Sequence, residues 1–203
     1  NDEQTKNGYA IDLSGQKNNG TLKNGVSTGA EGQVGEAYDY DGDEDAVDVP
    51  ADSSLNMDQE LTMSLKLKLR KLDDDNGKNS HHLYEGDYGI MDRSFVSKDG
   101  TRQYTDRFPY PTNEWTQQVA VYNGSNLIHY SNSEEKTNAT AEAPIDASKS
   151  NLRIGNAGGY DWTTDGKIDE VRIYNRSLSQ NEIQRLYEVR SEDWAVSSCK
   201  LTG

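Results

Sequence analysis

The stretch Gly166–Leu186, GKIDEVRIYNRSLSQNEIQRL, reads as one strand handing over to one short helix. Ile168 to Tyr174 alternates at period two, the repeat of an extended chain with one face turned to a core. Regular alternation places Asp169 on the face of Val171 and Ile173, where a carboxylate is costly unless it is paired. Ser179 and Glu182 then have the spacing of a capping box, and Ile183, Leu186 and Tyr187 recur at helical spacing. No second stretch carries comparable helix signals.

Outward from this segment the pattern is β. Leu61, Met63, Leu65, Leu67 and Leu69 alternate with Thr62, Ser64, Lys66 and Lys68, which predicts one core face and one solvent face. Shorter extended runs are predicted at Phe95–Ser97, Gln117–Tyr122, Leu127–Tyr130 and Leu152–Gly155. They are punctuated by turn pairs such as Asp99-Gly100 and Asn123-Gly124. Asp73 to Asn76 followed by Gly77 reads as a solvated loop. Only 32% of the 203 residues are hydrophobic, which suits two sheets that each bury one face. No linker-like segment interrupts the chain, so one domain is expected.

The net charge of −14 and pI of about 4.6 exclude nucleic acid and anionic membrane surfaces as partners, because the field of the chain repels both. No apolar run approaches the length that spans a bilayer. Cys199 has no second cysteine to pair with. Sequons at Asn19, Asn123, Asn138 and Asn175 are glycosylation candidates if the chain is exported.

Several segments together resemble the laminin-G-like domains of the concanavalin A-like jelly-roll superfamily. They are Asp12-Leu-Ser-Gly-Gln-Lys-Asn-Asn-Gly-Thr-Leu22, GQVGEAYDYDGDEDAVDVP at Gly32–Pro50, the L-T-x-S strand at Leu61 and the W-x-x-x-A-V-Y-x-G strand at Trp115–Gly124. L-x-I-G at Leu152 and the Gly166 segment complete the order, so the resemblance covers residues 2 to 188. It implies an all-β sandwich of two antiparallel sheets with one short C-terminal helix over residues 1–188, followed by an extension at 189–203. Family members have an aromatic near the position of Lys66, and a strand before the pair matched by Asp2-Glu3. That first strand is expected to be missing.

Asp169 has two readings. It is either held by backbone N–H groups or by an arginine such as Arg172 or Arg153, or it ligates calcium, which takes six to eight oxygens. The resemblance implies a structural calcium between the first loop and the last strand, with Asp12 and Asp169 as first ligands and Asp2, Glu3, Asn18 and Asp41 as further ones. Asp39, Asp41, Asp43 and Asp45 do not form an EF-hand, because glycine stands fourth and Pro50 twelfth.

Catalytic patterns fail on context. Gly25-Val-Ser-Thr-Gly29 lacks the helix that a nucleophile elbow requires. His81 and His82 would point to opposite faces of a strand, and His129 stands apart. Glu85-Gly-Asp87 lacks the second glutamate of the hydrolases that share this fold. The resemblance therefore implies a non-catalytic, extracellular binding or adhesion module whose partner is a carbohydrate or a cell-surface protein. Loop aromatics that stack on sugars or anchor a protein are the candidates for its face: Tyr160 and Trp162 first, with Tyr88 and Tyr110, and then Tyr84, Tyr104 and Phe108. Trp115 and Tyr122 are expected in the core. The alternatives are a filament subunit, a homo-oligomer joined through an unpaired sheet edge with Trp194 to Leu201 as candidate strand, and a glycoside hydrolase.

Overall fold

The computed structural model describes residues 5–6, 8–71, 81–142, 144–146, 149–158 and 163–189. Their strands form two antiparallel sheets, and the one α-helix among the described residues, α1 (Gln180–Glu188), follows the last strand. The nine-stranded sheet runs β1 (Thr5–Lys6), β2 (Tyr9–Ala10), β3 (Gly20–Lys23), β6 (Ala46–Val49), β15 (Leu152–Ile154), β8 (Leu83–Glu85), β9 (Tyr88–Ile90), β10 (Ser94–Lys98) and β11 (Thr101–Tyr104). The seven-stranded sheet runs β14 (Glu134–Thr140), β13 (Asn126–Ser131), β12 (Thr116–Tyr122), β7 (Leu61–Leu69), β16 (Asp165–Tyr174), β5 (Glu36–Asp41) and β4 (Ser27–Glu31). The all-β sandwich expected from the sequence is the one the chain forms.

The alternation of β7 explains its central place. Leu61, Met63, Leu65 and Leu67 are fully buried against Tyr40, Leu83, Ile90, Val96, Tyr122, Leu127 and Ile168 between the sheets. Each such side chain contributes about 1.5 to 3 kcal/mol of burial. The opposite face does not meet solvent as expected, since Thr62, Ser64 and Lys66 are buried as well. Helix α1 folds back across that face. The Thr62 hydroxyl donates to the Arg176 carbonyl and accepts from Leu178 N–H, and Ile183 and Leu178 pack on Val119, Val121 and Tyr130. Lys66 Nζ donates to the Val189 carbonyl where the helix ends.

A register break in β16 overturns the regular alternation around Asp169. Asp169 stands opposite Lys66 and Arg172 opposite Ser64, so β16 carries one more residue than β7 over this stretch. The bulge falls at Glu170, whose φ is 51°. Ile168 and Ile173 both face the core across it, and Asp169 turns to the outer face beside Lys66.

At the end of the sandwich where β10 faces β13 the core is polar. Ser94 Oγ donates to His129 Nδ1 at 2.7 Å, and His129 Nε2–H donates to Gln118 Oε1 at 3.0 Å. The Gln118 amide reaches Thr116 and Ser131, which fixes the acceptor side of that side chain and the neutral tautomer of His129. His82 Nδ1 lies 2.9 Å from the Thr164 hydroxyl. Burial holds His82 down to about 3 and His129 to about 4, whereas the unfolded rings titrate near 6.5. Their contribution to stability is full above that unfolded value and is lost as pH falls towards the folded values, because the unfolded chain then binds protons that the native core refuses. The denaturant midpoint should fall between about pH 7 and pH 4, and more gently in the double variant His82→Gln, His129→Gln. A slope unchanged in that variant would assign the acid sensitivity to other groups.

Candidate functional site

Each described calcium candidate makes protein hydrogen bonds of its own. Asp12 accepts from Ser14 N–H and Ser14 Oγ and, at 2.9 Å, from Asn18 N–H, closing its own loop. These bonds hold its carboxyl below the usual range against the opposing effect of burial. Asn18 Nδ2 donates to Ser54 Oγ, and Asp41 Oδ1 accepts from Asp43 N–H. Asp169 Oδ2 accepts from Gln33 and Val34 N–H at 2.9 and 2.8 Å, and its Oδ1 from Glu170 N–H at 2.7 Å.

Asp169 is held by backbone N–H groups and not by Arg172 or Arg153. Arg172 is taken by Glu170 and Arg153 by Asp48. Burial raises the Asp169 carboxyl above its ordinary value, and the backbone donors oppose that rise. A Cβ at Gly32 would stand 2.8 Å from Asp169 Oδ2, so glycine is what lets the β4–β5 turn approach. Among the described residues no three acidic, histidine or cysteine side chains are grouped to hold a metal ion. Asp2 and Glu3 lie outside the described residues.

The aromatic candidates divide in the same way. Tyr88 and Tyr110 are core residues, 1% and 4% exposed, with hydroxyls spent on the Leu55 and Met91 carbonyls. They are unavailable to a ligand: the β8–β9–β10 hairpins turn Tyr88 inward, and Tyr110 packs into the core from the irregular segment after β11. Tyr160 and Trp162 lie outside the described residues. Tyr84 and Tyr104 are half-buried on the outer face of the nine-stranded sheet. Asn19, Asn123, Asn138 and Asn175 are all exposed.

Phe108 opens on a groove of about 880 Å³ between the β13–β14 hairpin, helix α1 and the chain before Pro111. Its far wall is Tyr187, which spacing had assigned to the helix's apolar stripe but which turns to the groove instead. The floor is built by the turn Asn132-Ser133, both residues at positive φ, the geometry of a tight two-residue hairpin. Ser133 Oγ donates to Gln184 Oε1 at 2.6 Å and Gln180 Nε2 to the Ser133 carbonyl, so the helix is stapled to the hairpin. Glu134 and Glu135 line the mouth, and Lys136 bridges Glu134 at 2.7 Å while standing 5.4 Å from the Phe108 ring. Two aromatic walls over a bed of amides and carboxylates can hold a polyhydroxylated ligand by stacking and hydrogen bonding.

Catalytic candidates are closed off. Ser94 and His129 have a nucleophile–base spacing, but both are fully buried. Glu85 is 2% exposed, and neither Glu85 nor Asp87 lines the groove. No helix among the described residues is long and apolar enough to cross a membrane.

Two antiparallel sheets in this order define a jelly-roll sandwich. Residues 41–184 match the profile of a laminin G family described as the concanavalin A-like lectin/glucanases superfamily, and the chain belongs to that family. No curated protein matches it. Among solved structures it resembles the binding domain of Paraclostridial Mosquitocidal Protein 1, with a TM-score of 0.74 and 15% identity over 91% of this chain and 50% of that one. The receptor-binding domain of botulinum neurotoxin C/D mosaic serotype gives 0.72 and 16% over 91% and 49%, so the chain spans about half of either toxin domain. Domain 4 of AbnA, a GH43 extracellular arabinanase from Geobacillus stearothermophilus solved with arabinotriose, gives 0.64 and 19% over 83% and 88%. At these identities the likeness is one of fold.

Replacing Asp169 by alanine leaves the Gln33 and Val34 N–H groups without their acceptor and should lower stability by about 1 to 3 kcal/mol in urea titration. A chelator should leave the melting temperature unchanged. A chelator-induced drop would show that a metal ion contributes to the fold.

Proposed function

We propose that this chain is a non-catalytic, extracellular recognition module that holds a glycan in the groove between Phe108 and Tyr187. The observation that carries the reading is that those two rings line one groove together with the amide side chains Asn132, Gln180 and Gln184. Aromatic faces pack against the C–H faces of sugar rings, and amides reach their hydroxyls, with no reacting group required. The fold shared with a domain solved with arabinotriose supports the carbohydrate class, and the exposed sequons support an exported chain.

Phe108→Ala with Tyr187→Ala should abolish the strongest signals on a glycan array, with affinity for the best oligosaccharide falling about a hundredfold. Melting curves should stay close to those of the parent. An array pattern that survives both substitutions would move the ligand elsewhere on the module.

One observation favours a second reading. β16 pairs with β5 only through Asp165–Ile168, and beyond the bulge no described strand pairs the free edge of Val171–Tyr174. Val171 and Ile173 are only partly buried there. A strand of a second copy would complete this edge and make the module a homo-oligomer or filament subunit. The Trp194–Leu201 candidate strand lies outside the described residues. Light scattering should then show mass rising with concentration in the micromolar range, and a constant monomer mass would remove this reading.

A further inference from the structure

On the outer face of the nine-stranded sheet, directly opposed residues form a transverse row. Arg153 faces Tyr84, Tyr84 faces Gly89, Gly89 faces Phe95, and Phe95 faces Tyr104. Gly89 leaves a gap that the Phe95 ring fills, since a Cβ there would stand 2.6 Å from it. The Phe95 centroid is 5.9 Å from that of Tyr84 and 5.9 Å from that of Tyr104, so three strands contribute one aromatic bed.

Two arginines lie on this bed. The Arg102 guanidinium is 4.6 Å from the Phe95 centroid and 5.4 Å from that of Tyr84, and its Nη2 donates to the Tyr84 hydroxyl at 2.7 Å. A longer contact of 3.5 Å links the same nitrogen to the Gly86 carbonyl. Arg93 lies 4.0 Å from the Tyr104 centroid.

In so acidic a chain, arginines readily find carboxylates. Arg107, Arg153, Arg172 and Arg176 each hold one, and Arg70 holds two. Among the described residues Arg93 and Arg102 hold none, and neither does the exposed Arg185 on the helix. Asp92, next to Arg93, is bridged to Arg107, and Asp87 feels Arg102 without coming within ion-pair distance. Arg93 Nε is buried without an acceptor, a costly state for a guanidinium N–H. The rings orient both guanidinium planes and strip part of their water, and Arg102 also bonds the Tyr104 hydroxyl, so its present partners are neutral oxygens rather than a carboxylate.

We infer that the outer face of β8 to β11 is a second binding site, for a carboxylate-bearing sugar within an otherwise neutral oligosaccharide. Arg93 and Arg102 supply the fork that a carboxylate accepts in paired hydrogen bonds, and the free margins of Tyr84 and Tyr104 pack against the sugar ring. A densely charged polyanion is disfavoured, because the net charge of −14 repels it at long range whereas a single carboxylate is met at contact. This site shares no residue with the groove at Phe108 and stands or falls separately from it.

The test is calorimetric titration of the chain with a glucuronate-bearing xylo-oligosaccharide, its unsubstituted counterpart of equal length and a glutamate-rich peptide. The acidic sugar should bind about tenfold or more tightly than the neutral one, and that preference should shrink as salt is raised. R93Q and R102Q should each remove most of the preference. R102K, which keeps the charge and loses the fork, should remove part of it, and R185Q on the helix none. The Phe108→Ala, Tyr187→Ala variant should keep it in full. Equal binding of the two sugars, absence of binding by the acidic one, or a preference that survives R93Q combined with R102Q in a folded protein would each overturn the inference. Binding of the glutamate peptide as tight as that of the acidic sugar would overturn it in favour of an acidic protein partner.

Discussion

The extra residue in β16 between Asp169 and Arg172 is the constraint on which the seven-stranded sheet depends. Without it, the alternation of Ile168, Val171 and Ile173 could not keep Ile168 and Ile173 on one face, because they are five residues apart. With it, both ends of the strand feed the same core, and Asp169 leaves the core for the outer side. There its carboxylate gathers three backbone N–H groups and pins the β4–β5 turn to the bulge. Pairing with β5 stops at Ile168, one residue before the break. The bulge thus fixes a turn, a sheet boundary and the free edge beyond it.

Helix α1 depends on the strand that precedes it and in turn creates the groove. The Glu182 carboxylate accepts from Ser179 N–H and from Arg176, contacts that hold it down to about 2 and fix where the helix begins. From that start Ile183 reaches the apolar patch over β12 while Gln180 and Gln184 reach the β13–β14 turn. Tyr187 follows Gln184 by three residues and therefore rises on the same side, over the hairpin. The groove wall and the helix seat are consequences of one docking geometry.

Much of the fold was legible from residues alone, because β7 alternates without a fault and Ser179-x-x-Glu182 marks the helix start. What escaped the sequence has specific causes. Regular alternation assigned Asp169 to the core face, since a bulge at a non-glycine residue leaves no local signature; Glu170 is an unusual place for φ of 51°. The polar face of β7 read as solvent because the element that covers it lies more than a hundred residues later. Tyr88 reads as a loop aromatic because β9 is too short to show a period, and Tyr110 because it is buried from an irregular segment that has no period, while Tyr84, one step out of phase with the core residue Leu83, faces out. The tight turn at Asn132-Ser133 was missed because serine is a weak signal for positive φ, although Asn132 was a usable one.

The same chemistry has opposite meanings on the two sides of the nine-stranded sheet. Inside, Ser94, His129 and Gln118 close their hydrogen bonds on one another and His82 closes on Thr164, so these groups specify packing and present nothing to a ligand. Outside, Arg93 and Arg102 are oriented by rings yet hold no carboxylate among the described residues. Phe95 and Ser94 are neighbours on one strand and point to these two environments. A closed network stabilises the fold, and an open one is available for recognition; what distinguishes them is whether each donor already has its acceptor.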